Sequence, residues 1–280
     1  MKRNALKTLF AFAAGTMLFV SCDKDNATKT DVAQTDAMSV GKNSAAANDM
    51  ILTLMGRVNT AGAASEGKIS DIPGSGLNCG SYAVSPTSGY PKTIIADFGS
   101  GCSFQGVSFK GKLIAVLSAR PTNTGAEVKL GFDQFFYNNK EVSGTATITN
   151  KGKNGAGYPT YDVLADLQQK GSAAETFWVK SALTVEHTKG FATLSPNDDA
   201  YSVTGSGTLT DIAKRSYTST ITKALVKDAG CFWIGSGTLD NTLPGGKKAT
   251  LDFGDGSCDS KATLTSDGKS SEIDLGSVTM

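Results

Sequence analysis

An all-β fold is what this 280-residue chain predicts, and three observations lead there. Threonine, valine and isoleucine recur in runs of strand length, the composition of a pleated surface. Glycine is abundant at 32 residues and proline scarce at 7, which implies many tight turns without a collagen-like triplet period. An Asp-Phe-Gly phrase with a nearby cysteine occurs twice, as "IIADFGSGCSF" at 94–104 and "ATLDFGDGSCD" at 249–259. The expected arrangement is an elongated antiparallel meander, or a sandwich-like β domain, built of long hairpins.

The first residues read as an address. Lys2, Arg3 and Lys7 precede an apolar run from Leu9 to Val20 that is shorter than the roughly 20 residues a membrane-crossing helix needs. Residues 1–21 are therefore expected to be an export signal outside the fold. Phe19-Val20-Ser21-Cys22 resembles the cleavage box of bacterial lipoproteins, with phenylalanine in place of the usual leucine, and makes Cys22 the expected lipidation site. Acyl chains there would attach the protein to a membrane without spanning it. The segment "DKDNATKTDVAQTDAMSVGKNSAAAND" has no aromatic residue, so residues 22–49 are expected to form a flexible tether. Asp23, Lys24 and Asp25 resemble the acidic export mark of Bacteroidota lipoproteins, and the location this resemblance implies is the outer membrane, at the cell surface or else on the periplasmic face.

The folded region is then expected over 50–280. Residues 44–57 fit a short helix or a first strand. "KTIIADF", "VSFKGKLIAVLSA", "AEVKLGFDQFFY" and "VSGTATITN" are strand-length runs, with turns expected at Asn138-Asn139 and Lys151-Gly152. "TFWVKSALTVEH", "AYSVTGSGTLTD", "SYTSTITKAL", "CFWIGSGTLDN", "KKATLDF", "SKATLTS" and "SEIDLGSVTM" continue the series, while 220–229 reads equally as strand or short helix. Two related halves, 50–160 and 161–280 with a link near 155–172, are one reading; one continuous body is the other and the preferred one. The glycines of "VSGTATI", "VTGSGTL" and "WIGSGTL" mark bends, bulges or close backbone approaches.

Four cysteines remain after Cys22. Three pairings exist formally. The duplicated frame of cysteine, strand, proline, strand, Asp-Phe-Gly and cysteine favours Cys79 with Cys102 and Cys231 with Cys258, in a compartment where disulfides persist. Asp252, Asp255 and Asp259 invite a calcium reading, yet without EF-hand spacing they are expected to shape turns.

Reaction motifs are missing from the letters. His187 is the only histidine and is expected to be exposed and incidental. No GxSxG, HExxH, P-loop or dinucleotide fingerprint occurs. No cofactor is implied. With Lys2, Arg3 and Lys7 set aside, 24 of the 27 basic residues face 26 acidic ones, and no basic cluster suits nucleic acid. Glycoside hydrolysis needs only two carboxylates, and Glu127, Asp133, Glu141, Asp162, Glu175 and Glu186 are nominal candidates. Trp178, Trp233, Phe135, Phe136 and Tyr137 could stack on sugar rings if they lie on an exposed face.

Cys79, "ADFGSGC", "FKGKLIAVLS", "VSGTATITNKG", "DDAYSVTGSG", "CFWIGSG" and "LDFGDGSCD" together resemble a group of uncharacterised Bacteroidota envelope lipoproteins across about residues 77–275. That resemblance implies lipid anchoring and a β-rich fold, and carries no reaction with it. The leading expectation is a non-enzymatic envelope protein of structural, adhesive or accessory role, whose partners are the membrane and an envelope protein or glycan. A glycan-binding surface lipoprotein of a polysaccharide-capture system is the alternative, and a carbohydrate-active enzyme the second alternative.

Overall fold

The computed structural model describes residues 24–64, 79–104, 106–193 and 196–276; the signal segment and Cys22 lie outside the described residues. Among these, one α-helix, α1 (Lys24–Ala64), precedes fourteen strands. These are β1 (Ser81–Ser85), β2 (Lys92–Asp97), β3 (Cys102–Phe104), β4 (Val107–Leu117), β5 (Glu127–Tyr137), β6 (Lys140–Lys153) and β7 (Pro159–Lys170). They continue as β8 (Phe177–Lys189), β9 (Ala200–Asp211), β10 (Ser216–Asp228), β11 (Ser236–Thr242), β12 (Lys248–Asp255), β13 (Lys261–Ser266) and β14 (Lys269–Asp274). All pair antiparallel in sequence order, with β3 alone off the path on β4. The meander expectation holds. Among the described residues there is one sheet and no sandwich.

The sheet curls around α1. Tyr137 of β5 bonds Asp49, Lys227 of β10 pairs with Asp49, Asn241 of β11 accepts from Ser44, and Leu264 of β13 touches Gly41. On the other side Arg57 lies over Phe109 of β4. Among the described residues one hydrophobic cluster joins the helix to strands from both ends of the sheet, from Ile94 to Ile273. The 155–172 region, a link only in the two-halves reading, holds β7 near the middle of the sheet.

The flexible tether at 22–49 is a correction. Lys24–Ala64 is helical throughout, and Ala37, Val40, Ala45 and Ala47 are at most 5% exposed. Size explains it. In register across the sheet's inner face run Ala146, Ala165, Ser181, Gly207, Ser219, Asn241, Ala249 and Ser266, a belt of mostly small side chains. Small residues on both partners let the helix axis approach the sheet. At Gly62 even a methyl group would stand 2.6 Å from Pro121 Cγ.

The sheet bends at the repeated glycines. Gly111, Gly144, Gly205 and Gly237 have φ of +76°, +103°, +127° and +113°, and pairing slips beside all four. These are the glycines of "FKGKL" and of the three related phrases, so the bend expectation is met. Asn138 and Asn139, at φ of 49° and 62°, form the expected hairpin turn. Lys151 and Gly152 do not turn; they sit inside β6 at a bulge. Residues 220–228 are strand.

The twice-written phrase makes the same capping, core and disulfide contacts twice, although Phe98 follows the end of β2 and Phe253 lies within β12. Asp97 Oδ1 accepts the Gly99 N–H at 2.9 Å, and Asp252 Oδ1 accepts the Gly254 N–H at the same distance. Phe98 and Phe253 enter the core at 4% and 3% exposure. Cys79–Cys102 and Cys231–Cys258 are bonded, each with Cα atoms 5.6 Å apart. They close loops of sequence separation 23 and 27. A Cys79→Ala/Cys102→Ala variant should lose about 3 kcal/mol of unfolding free energy in urea, because the chain-entropy account gives that for such loops. An unchanged midpoint would show that the corner is held without its covalent link.

The outer face is polar. Lys151 pairs with Asp162 at 3.4 Å, Lys180 with Asp166 at 3.1 Å and Lys261 with Glu272 at 3.0 Å, all across neighbouring strands. Such exposed pairs contribute little stability. They do suit water, whereas a lipid-facing barrel turns an apolar band outward. No helix among the described residues is long and apolar enough to cross a membrane.

Candidate functional site

A cleft of about 470 Å³ opens between the middle of α1 and the ends of the long strands. Its position follows from one buried cation. Lys227 points inward from β10, and its Nζ pairs with Asp49 of α1. The same ammonium donates to the carbonyls of Cys231 at 3.2 Å and Phe232 at 2.7 Å. The loop after β10 is thereby drawn onto the helix, and the Cys231–Cys258 bridge holds its other side.

That loop carries the cleft's aromatic wall. The Phe232 and Trp233 rings meet edge to face, 4.4 Å between centroids. The Trp233 backbone N–H lies 3.4 Å from Cys231 Sγ, and the indole rests against Gly276, where a Cβ would come within 3.1 Å of it. Polar groups line the cleft as well. Lys140 Nζ lies 3.1 Å from Glu175 Oε1, and both side chains are under 20% exposed. Burial pushes the Glu175 carboxyl up, but the Ser172 and Lys140 hydrogen bonds outweigh it and hold the group below the usual carboxylate range. Gln169 and Asn138 complete that polar lining.

At the floor, the Tyr137 hydroxyl donates to Asp49 Oδ2 at 2.9 Å. Burial, then the Asp49 charge, pushes the phenol well above its ordinary pKa. Beyond Phe232 a second cavity, about 410 Å³, runs toward Arg57, Phe104 and Tyr201. Arg57 lies 4.3 Å from the Phe109 ring centroid and 5.0 Å from that of Phe104, and burial lowers its pKa.

His187 corrects the sequence expectation. It is 8% exposed, with Nε2 2.8 Å from Asp199 Oδ1 and its ring stacked on Tyr201 at 4.7 Å. Tyr201 donates to the other Asp199 oxygen at 3.0 Å. β8 and β9 pair His187 with Tyr201 directly, and that cross-strand contact excludes water from the imidazole. The cluster works as a buried clasp at the rim of the second cavity.

The ring candidates separate. Phe135 and Tyr137 are 0% and 2% exposed, which removes them from any stacking surface; their parity on β5 turns them inward. Phe136 points outward under Lys110, 5.0 Å from its ring. Trp178 is half-buried on β8 with Lys214 Nζ 4.2 Å above its ring. Trp233 alone of the five lines the cleft with an accessible ring.

The nominal acids do not gather either. Asp133 faces Lys112, Glu141 faces Lys170 and Asp162 faces Lys151 on the outer face, while Glu186 accepts from Asn154. Glu127 lies 4.0 Å from Lys129, and Glu175 is the one of the six that lines the cleft. Asp252, Asp255 and Asp259 each cap a backbone N–H two residues on, and no acidic or thiol group of three gathers among the described residues. Asp49 and Lys227, which organise the site, carry no sequence signal beyond being charged residues near apolar ones.

No protein-family model, curated protein or solved structure matches this chain.

Proposed function

We propose that this is a non-enzymatic envelope protein with a structural, adhesive or accessory role, held at the outer membrane by acyl chains on Cys22. One observation carries the reading: from Lys24, two residues after that cysteine, the described chain is the helix around which the sheet is built. Helix begins at Lys24, and Ala37 is already fully buried. Thirteen helical steps span about 20 Å. A lipid on Cys22 would therefore hold the body through a helical stalk continuous with its core. The two disulfides suit an oxidising compartment, and the charged outer face suits a body standing in water.

Metabolic labelling with an alkynyl fatty acid tests this. Label should appear on the protein, vanish in Cys22→Ala, and that variant should leave the membrane fraction. A chain that stays at the membrane unlabelled would end the proposal. Cleavage by protease added to whole cells would place it on the outside.

A second reading, a glycan-binding surface lipoprotein, is favoured by the accessible indole of Trp233 in the cleft.

A further inference from the structure

We infer that the Trp233 cleft is a site for a neutral saccharide of one or two pyranose rings. The sugar's apolar face lies on the indole, and its hydroxyls bond Gln169, Glu175 and Asn138. This deepens the glycan reading above and rests on it.

Volume sets the first bound. About 470 Å³ lies within the roughly 300–1,000 Å³ usual for small-molecule sites and is too small for a folded partner. Charge sets the second. Lys42 and Lys140 line the cleft with Asp49 and Glu175, and Lys42 is itself already engaged. Glu175 is joined to Lys140 and Asp49 to Lys227, so a charged ligand would have to compete with existing partners. The matched ligand is uncharged.

Wall chemistry sets the third. The lining combines the apolar Phe232, Trp233 and Leu275 with the amides of Gln169 and Asn138 and the Glu175 carboxylate. An acyl chain would cover the amide N–H groups of Gln169 and Asn138 and leave them without water, which costs about 1–3 kcal/mol for each group left unbonded. A pyranose has one face of C–H groups and an edge of hydroxyls, so it satisfies both kinds of lining together. Preorganisation is the fourth support. Phe232 and Gly276 flank the indole, and Cys231 Sγ accepts the Trp233 backbone N–H, so little ordering is left for binding to overcome.

The test uses the intact protein carrying Trp178→Phe, which leaves Trp233 as the only indole, titrated with cellobiose, maltose, xylobiose and diacetylchitobiose. Concentrations reach about 10 mM, enough to saturate a site whose dissociation constant is about 1 mM. At least one sugar should change the emission saturably. Calorimetry on the unsubstituted protein should give the same affinity. Gln169→Ala should weaken that sugar about tenfold, a loss of about 1.4 kcal/mol, with the far-ultraviolet circular dichroism unchanged. No saturable response from any of the four, or an affinity unaltered by Trp233→Ala in calorimetry, overturns the inference. So does saturation by palmitate without saturation by any sugar. If the protein and its Trp233→Ala form are retained equally on an insoluble polysaccharide, surface glycan capture stands and the cleft assignment falls; if retention is absent while cellobiose still binds the cleft, the reverse holds.

Discussion

Lys227→Met should lower the unfolding free energy by about 3–5 kcal/mol, the loss typical of breaking a buried ion pair from one side. The Lys227 and Asp49 side chains are 9% and 14% exposed, so water cannot replace the missing ammonium. Methionine keeps most of the stem's volume and packing. What it removes is the charge opposite Asp49 and the donors to the Cys231 and Phe232 carbonyls. Asp49 would keep only the Tyr137 hydroxyl and whatever its own helix supplies. The pair itself need not be strongly stabilising, because forming it desolvated two charges. A Lys227→Met/Asp49→Leu double variant should therefore recover most of the loss, retaining a deficit for the two carbonyls, while the Tyr137 hydroxyl keeps Thr53 Oγ1 at 3.3 Å. Urea titrations of the parent, both single variants and the double variant measure the coupling directly. A single-variant loss below about 1 kcal/mol, the ceiling for exposed pairs, would show that solvent reaches the site.

The parts legible in the sequence are those whose signal is local. Strand alternation is a period of two, and β2 shows it in six letters. The corners are legible because each carries its own cysteines, aspartate and glycine within one short frame. β7 hid the same signal. Tyr161, Val163, Ala165 and Leu167 alternate inward, but Pro159 and the outward Asp162 and Asp166 make the stretch read as a polar connection. α1 hid for a different reason. Its segment before Met50 is too polar and small to fold by itself, and the inference of a tether assumed that it stands alone. A surrounding sheet changes that balance, since each small residue is desolvated from several sides. The cleft was the least legible part. Asp49, Lys140, Gln169, Glu175, Lys227 and Trp233 come from α1, the sheet and its connecting loops, and only the indole is conspicuous by residue type.

The curl itself should depend on Gly111. This residue sits in β4 at φ +76°, opposite Gln134, which is also left-handed at φ 45°. A Cβ on Gly111 would fall on the Gln134 carbonyl oxygen. Its own backbone is already engaged: the Gly111 carbonyl accepts the Phe98 N–H at 2.8 Å, and its N–H donates to the Gly99 carbonyl at 3.1 Å. The bulge that bends β4 is thus the bulge on which the first Asp-Phe-Gly turn is docked. Gly111→Ala should cost about 1–2 kcal/mol for the left-handed conformation and about 1–3 kcal/mol more for overpacking against the next strand. The alternative for the chain is to flatten the bulge, which would undock Phe98 from the Phe109 ring now 5.0 Å away. Gly131→Ala is the control on the facing strand. Gly131 has no left-handed backbone, and nothing lies within 4 Å of the point where an added methyl group would stand. That change should be neutral or slightly stabilising, because it restricts the unfolded chain. If both variants unfold at the parent's urea midpoint, the bend does not require glycine, and the curl around α1 must come from the helix and the inner belt alone.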